Sequence, residues 1–173
     1  MKSRNLALAG LMMSLLAPLL PTCVFAGAQL QLTSPAISDG ATIPTQFTCS
    51  GANQSPPLAW TGIPSSAKSL ALLMEDPDAP AGTFVHWVVY DIPPTSTGFQ
   101  EGVAEGKPGA NGMGKNAYMG PCPPPGSPHH YHFRLFALDT NLAPTAAPNA
   151  SALRAAINGH IIQSAELVGI FGR

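Results

Sequence analysis

Histidines and a short acidic run carry most of the chemistry this chain could do. Glu75, Asp76 and Asp78 lie in the stretch Glu75-Asp76-Pro77-Asp78-Ala79-Pro80, directly after an apolar run. Turn chemistry accounts for one aspartate at a strand end; three carboxylates are more than a turn needs. His86 sits beside Trp87 inside a second apolar run. A single histidine there is more often a satisfied core residue than a working one, unless a second histidine converges on it. His129-His130-Tyr131-His132 supplies the candidates. Strand alternation puts His129, Tyr131 and Phe133 on one face, and His130, His132 and Arg134 on the other. Just before them runs Tyr118-Met119-Gly120-Pro121-Cys122-Pro123-Pro124-Pro125-Gly126. Its prolines make it stiff, Gly120 lets backbone approach a ligand closely, and Tyr118 and Met119 are wall candidates. Imidazoles, backbone N–H groups and a tyrosine hydroxyl together suit an anionic cluster of oxygens.

Two rival chemistries use the same residues. His86, His129, His130 and His132 with the nearby acids are the right types for a metal. The opposite facing of His129 and His130 argues against one, so neither a metal nor another cofactor is expected. A hydrolase acting on a phosphoester or ester is the alternative, with histidine, aspartate and tyrosine as acid–base groups. No activated nucleophile is evident: Ser127 lacks a base, and Cys122 has a disulfide as one of its fates. Binding is therefore favoured over catalysis.

The elements that must position these groups are mostly strands. Leu30-Gln31-Leu32-Thr33 alternates as a half-buried strand does. Ile37 to Phe47 reads as a turn and another strand, and Leu58-Ala59-Trp60 follows a loop. Ser69 to Met74, Phe84 to Ile92 and His130 to Leu138 are apolar enough for central strands. Residues 93–127 read mostly as loop, a length that is uncommon without a function. Asn149 to Asn158 predicts a short helix, capped by Asn149 and ended by Gly159. Ile170 and Phe171 suit a last strand. There is no internal repeat and no GxGxxG, phosphate-loop, CxxC or GxSxG motif.

The 173 residues carry 8 Lys+Arg against 9 Asp+Glu, and only 10% are charged while 45% are hydrophobic. That balance argues against nucleic-acid binding and against disorder. The 19 prolines and 17 glycines argue against a helix bundle. Residues 1–26 read as a signal peptide: Lys2 and Arg4 precede an apolar stretch from Leu6 to Leu20, and Val24-Phe25-Ala26 resembles a cleavage site before Gly27. A lipoprotein reading through Cys23 ranks second. Residues 27–173 are then one domain without a transmembrane segment, periplasmic or secreted. They keep two cysteines, Cys49 and Cys122, either bridged or as two free thiols.

The order of motifs carries a resemblance. Ser55-Pro56-Pro57-Leu58-Ala59-Trp60, Asp76-Pro77-Asp78-Ala79-Pro80, His86-Trp87, Gly120-Pro121-Cys122-Pro123-Pro124 and His129-His130-Tyr131 stand in one register. Together they resemble the phosphatidylethanolamine-binding protein (PEBP) family, more narrowly its bacterial YbhB/YbcL-type branch of Raf-kinase-inhibitor-like proteins. The match runs from about Leu30 to Arg173 and includes Gly159-His160-Ile161-Ile162 through Gly169. It implies a mainly β (α+β) fold: a large central antiparallel sheet packed on a smaller sheet, with a few short helices. It implies a small pocket for phosphate or phosphoryl-headgroup anions, formed by Asp76, Asp78, His86, Gly120, Pro121, His129 and Tyr131. Asp76 would orient a histidine or the loop instead of touching the anion. His130 stands where many relatives carry Arg, which lowers positive charge at the rim. The partners implied are a small anion and a protein target such as a kinase or protease, with a homodimer left open. The proline-rich rim marks headgroup binding and not a tunnel for acyl chains.

Overall fold

The computed structural model describes residues 28–142 and 147–173. The signal-peptide reading of residues 1–26 lies outside the described residues. Chain order is β1 (Gln31–Thr33), β2 (Ala41–Thr42), a 3-10 turn (Thr45–Phe47), β3 (Leu58–Thr61), β4 (Ser69–Asp76), β5 (Phe84–Ile92), β6 (Gly98–Phe99), β7 (Lys107–Pro108), β8 (His129–Leu138), α1 (Ala150–Ile157) and β9 (Ile161–Phe171). A six-stranded sheet has the order β2-β9-β8-β4-β5-β7, and a three-stranded sheet the order β1-β3-β6. All pairs are antiparallel except β2 with β9, which is parallel. This is the two-sheet, mainly β architecture expected from the motifs.

The unbroken apolar run of β4 has a simple cause: the strand is buried on both faces. Leu70, Leu72 and Met74 join Phe133 and Leu135 of β8 and meet Leu32, Leu58, Trp60 and Phe99 of the small sheet. Ala71 and Leu73 face the other way and meet Leu153 and Ile157 of α1. The helix begins as its sequence predicts, with the Ala152 N–H donating to Asn149 Oδ1 at 2.9 Å.

Two elements differ from the sequence pattern. Where Ile37 to Phe47 suggested a turn and a strand, the strand that pairs is only Ala41–Thr42. Pro44 then opens a 3-10 turn, because proline has no N–H for a ladder. Where Ile170 and Phe171 marked a final strand, β9 runs eleven residues and pairs along all of β8. Outward Ser164 and Glu166, and a polar Gln163 on the inner face that accepts the Leu30 N–H, hide the strand period. Cys49 and Cys122 are joined by a disulfide, Sγ–Sγ 2.08 Å. Among the described residues no helix is long and apolar enough to cross a membrane.

Candidate ligand-binding site

A β-bulge aims His86. Met74 of β4 pairs with Trp87 of β5, and the next residue, Glu75, pairs with Val85. One step on β4 is matched by two on β5, so His86 is the extra residue. Trp87 therefore packs between the sheets, Val85 packs toward the helix side, and the His86 ring turns to Phe84 and Tyr131, with centroids at 4.9 and 5.1 Å. Its Nδ1–H donates to Met119 O at 2.8 Å, because a carbonyl can only accept. The Met119 N–H returns a bond to His86 O at 3.0 Å. The ring is 4% exposed. Burial pulls its pKa below the ordinary imidazole value, although the Met119 carbonyl and the nearby Asp76 carboxylate favour the charged form.

His129 begins β8 on the buried face with Tyr131 and Phe133. Its Nδ1 lies 2.8 Å from Asp76 Oδ2. The other oxygen of Asp76 accepts the Asp78 N–H at 2.9 Å. Asp76 is thus occupied on both oxygens, one of them orienting a histidine. Asp78 turns outward: its Oδ2 accepts from the His130 backbone N–H at 2.8 Å and lies 2.7 Å from His130 Nδ1. Those hydrogen bonds hold its carboxyl below the usual range.

The stiff loop is strapped to the segment around residue 50. Tyr118 Oη donates to Phe47 O at 2.7 Å, Gly120 N–H to Asn53 Oδ1 at 2.8 Å, and Cys49 N–H to Pro121 O at 3.1 Å. The disulfide closes the same seam. A Cβ on Gly120 would collide with Phe47 O and Asn53 Oδ1, so the glycine serves the close approach of this loop to the segment around residue 50. The sequence suggested that N–H groups of this loop face a ligand. Those of Met119 and Gly120 are instead bonded inside the protein, and the prolines have none.

Asp76, His86 and His129 meet at one cavity of about 180 Å3. Ala79, Pro80, Phe84 and Met113, with Met119, Cys122, Pro123 and Pro124 of the stiff loop, complete the lining. Asp78, Gly120, Pro121 and Tyr131 are not among its lining residues. Gly120 and Pro121 set the loop, and Tyr131 lies behind His86. The Tyr131 hydroxyl is fully buried without a hydrogen-bond partner among the described residues, and burial pushes its phenol above the usual range. Phe84, Pro80 and Met113 escaped sequence reasoning because nothing in an apolar or proline residue marks it as a wall. A larger groove of about 550 Å3 runs beside β6, but its lining includes a single ionisable side chain, Glu105. Chemistry therefore favours the smaller cavity. No Ser, Thr or free thiol lines that cavity, since Cys122 is in the disulfide.

A two-sheet β fold with a histidine–aspartate pocket under a strapped loop defines the class. Residues 33–172 match the family model described as phosphatidylethanolamine-binding protein. The chain belongs to that family. It is 43% identical over 151 residues to a UPF0098 protein of Methanothermobacter thermautotrophicus, covering 83% of this chain and 99% of that one. It is 44% identical over 148 residues to a UPF0098 protein of Chlamydia pneumoniae, covering 82% and 98%. Among solved structures, a phosphatidylethanolamine-binding protein homologue of Chlamydia trachomatis superposes with a TM-score of 0.81 at 39% identity, covering 84% of this chain and 99% of that one. Escherichia coli YbcL, described as a member of the mammalian PEBP family, gives 0.78 at 32% identity with the same coverage.

Proposed function

We propose that this chain is an exported module that binds phosphate or a phosphoryl headgroup in the His86–His129 pocket and acts through a protein partner, such as a kinase or protease. The observation that carries the reading is the shared fixing of two imidazoles. Each spends Nδ1 on an internal acceptor, Met119 O or Asp76 Oδ2, and both line one small cavity. The remaining nitrogen, Nε2, is a lone pair in the neutral ring and a donor in the protonated one. Anion binding is then coupled to proton uptake and strengthens as pH falls. Export is supported by the charged and apolar pattern of residues 1–26 and by a disulfide, which persists in oxidising compartments. N-terminal sequencing of the exported protein is expected to start at Gly27; a start at Met1 would contradict export with cleavage.

The test is the thermal midpoint with and without millimolar phosphate or phosphoethanolamine, at pH 6 and 7.5. A ligand of the folded state alone raises it by mass action. The expected result is a rise at pH 6, a smaller one at pH 7.5, and none in His86→Ala or His129→Ala. No rise at either pH sinks the anion reading. Turnover of a phosphoester that disappears in His129→Ala would replace it with the hydrolase.

A further inference from the structure

We propose that the pocket selects a phosphomonoester bearing a small apolar group, an aryl or short alkyl phosphate, and that Met113 is the residue that reads that group. The proposal rests on the anion reading of the same pocket. The ionisable side chains of the cavity are Asp76, His86 and His129, with Asp76 and His129 in direct contact. The rest of its lining presents no further ionisable side chain. Pro80, Pro123 and Pro124 have no N–H, the Met119 N–H is bonded to His86 O, and Phe84 and the two methionines present carbon and sulfur. No carboxylate waits there for an ammonium tail: Asp78 is outside the lining and bonded to His130.

Met113 is 62% exposed, the most exposed large apolar side chain among the described residues. The turn that carries it is firmly built. Asn111 is buried, and its Oδ1 accepts the N–H groups of Met113 at 2.9 Å and Lys115 at 3.1 Å. Its Nδ2 donates to Ala117 O at 3.0 Å. The Gly112 N–H donates to Val85 O at 2.8 Å, and a Cβ on Gly112 would come within 2.7 Å of the Phe84 ring. A turn pinned this closely to the pocket wall holds an apolar, adaptable side chain in water at the mouth, where a ligand would cover it. The cavity of about 180 Å3 is below the ~300–1,000 Å3 of pockets for drug-sized ligands. It has room for a phosphoryl group with one ring or a few carbons, and not for paired acyl chains.

Calorimetric titration of the purified protein at pH 6 with inorganic phosphate, phosphoethanolamine, propyl phosphate and phenyl phosphate tests this. Propyl phosphate and phosphoethanolamine carry tails of equal length, one apolar and one charged. Each buried CH2 is worth about fourfold in affinity. Propyl phosphate is therefore expected to bind about tenfold or more tightly than phosphoethanolamine, and phenyl phosphate more tightly again. Met113→Gln should bring those ratios toward one, and Met113→Leu should restore them; an unchanged circular dichroism spectrum confirms that both variants fold. Phosphate binding with no preference among the tails overturns this proposal and leaves the anion reading standing. A preference that survives Met113→Gln overturns the role of Met113. If none of the four compounds binds, the anion reading itself fails and this proposal with it.

Discussion

Glu75 and Asp76 are neighbours in β4, both carboxylates, both 3% exposed, and they face opposite sides of the sheet. Glu75 accepts from two guanidinium groups, Arg134 Nη1 at 3.1 Å and Arg154 Nη2 of α1. Arg134 continues to Glu166 at 2.7 Å, and His132 Nδ1 lies 2.8 Å from the same oxygen. Burial opposes ionisation of Glu166, yet the His132 and Arg134 bonds hold its carboxyl below the usual range. Among the described residues Asp76 meets no arginine in this way; its partners are a backbone N–H and the His129 ring. Arginine is always protonated, so the Glu75 side is a permanent ionic tie between sheet and helix. Histidine is not, and under the proposed function the Asp76 carboxylate is the group that orients one. One strand thus carries an arginine-tied carboxylate on one face and a histidine-paired one on the other.

The largest effect should come from the strap on the pocket side. The disulfide spans a sequence separation of 73, and removing it frees the unfolded chain by about 4 kcal/mol in the loop-entropy view. Cys49→Ala with Cys122→Ala should lower unfolding stability by roughly that amount in a denaturant titration. A loss near zero would mean that the hydrogen bonds at Phe47, Asn53 and Pro121 hold the loop unaided.

Next comes the comparison itself. Glu75→Gln should cost about 2 kcal/mol, less than a fully buried pair because both arginines reach water, while phosphate affinity stays close to wild type. Asp76→Asn should cost only ~1 kcal/mol yet weaken phosphate binding at pH 6 severalfold or more, because His129 loses its orienting carboxylate. Equal effects of the two changes on binding, read by calorimetry, would show that the faces do not differ in role.

The smallest effect is in pH. The folded-state pKa of His86 lies below the unfolded value of about 6.5. The unfolded chain then binds more protons in that window. This contribution is complete above about pH 6.5 and is lost as pH falls below it. His86→Asn should flatten the stability profile between pH 7 and 5.5, by no more than about 1 kcal/mol. Phosphate should oppose the same loss in the wild type, since the anion stabilises the protonated ring. An unchanged slope in His86→Asn would assign the acid sensitivity to other groups.

Much of this was legible from the residues. The apolar runs at Ser69 to Met74, Phe84 to Ile92 and His130 to Leu138 name the central strands because a buried strand needs no alternation. The parity of His129 and Tyr131 places both on one face of the strand, and the structure shows that this face is the buried one. Asn149 names the helix start through its cap. Parity by itself would have turned His86 away from Trp87's partners without saying toward what, because a bulge has no signature in a run of apolar residues.

The sequence by itself determined a mainly β chain through burial period and turn chemistry, which are local properties, and the family through its ordered motifs; the two-sheet architecture and the acid and histidines of the pocket followed from that family resemblance. Only the tertiary structure decided which of those groups reach the cavity. The pairing of β4 with β5 puts the bulge at His86, His86 O and Asn53 Oδ1 take up the N–H groups of Met119 and Gly120, and the Asn111 turn brings Met113 to the cavity. Each depends on contacts between residues far apart in the chain, and such contacts are settled by packing and not by local preference.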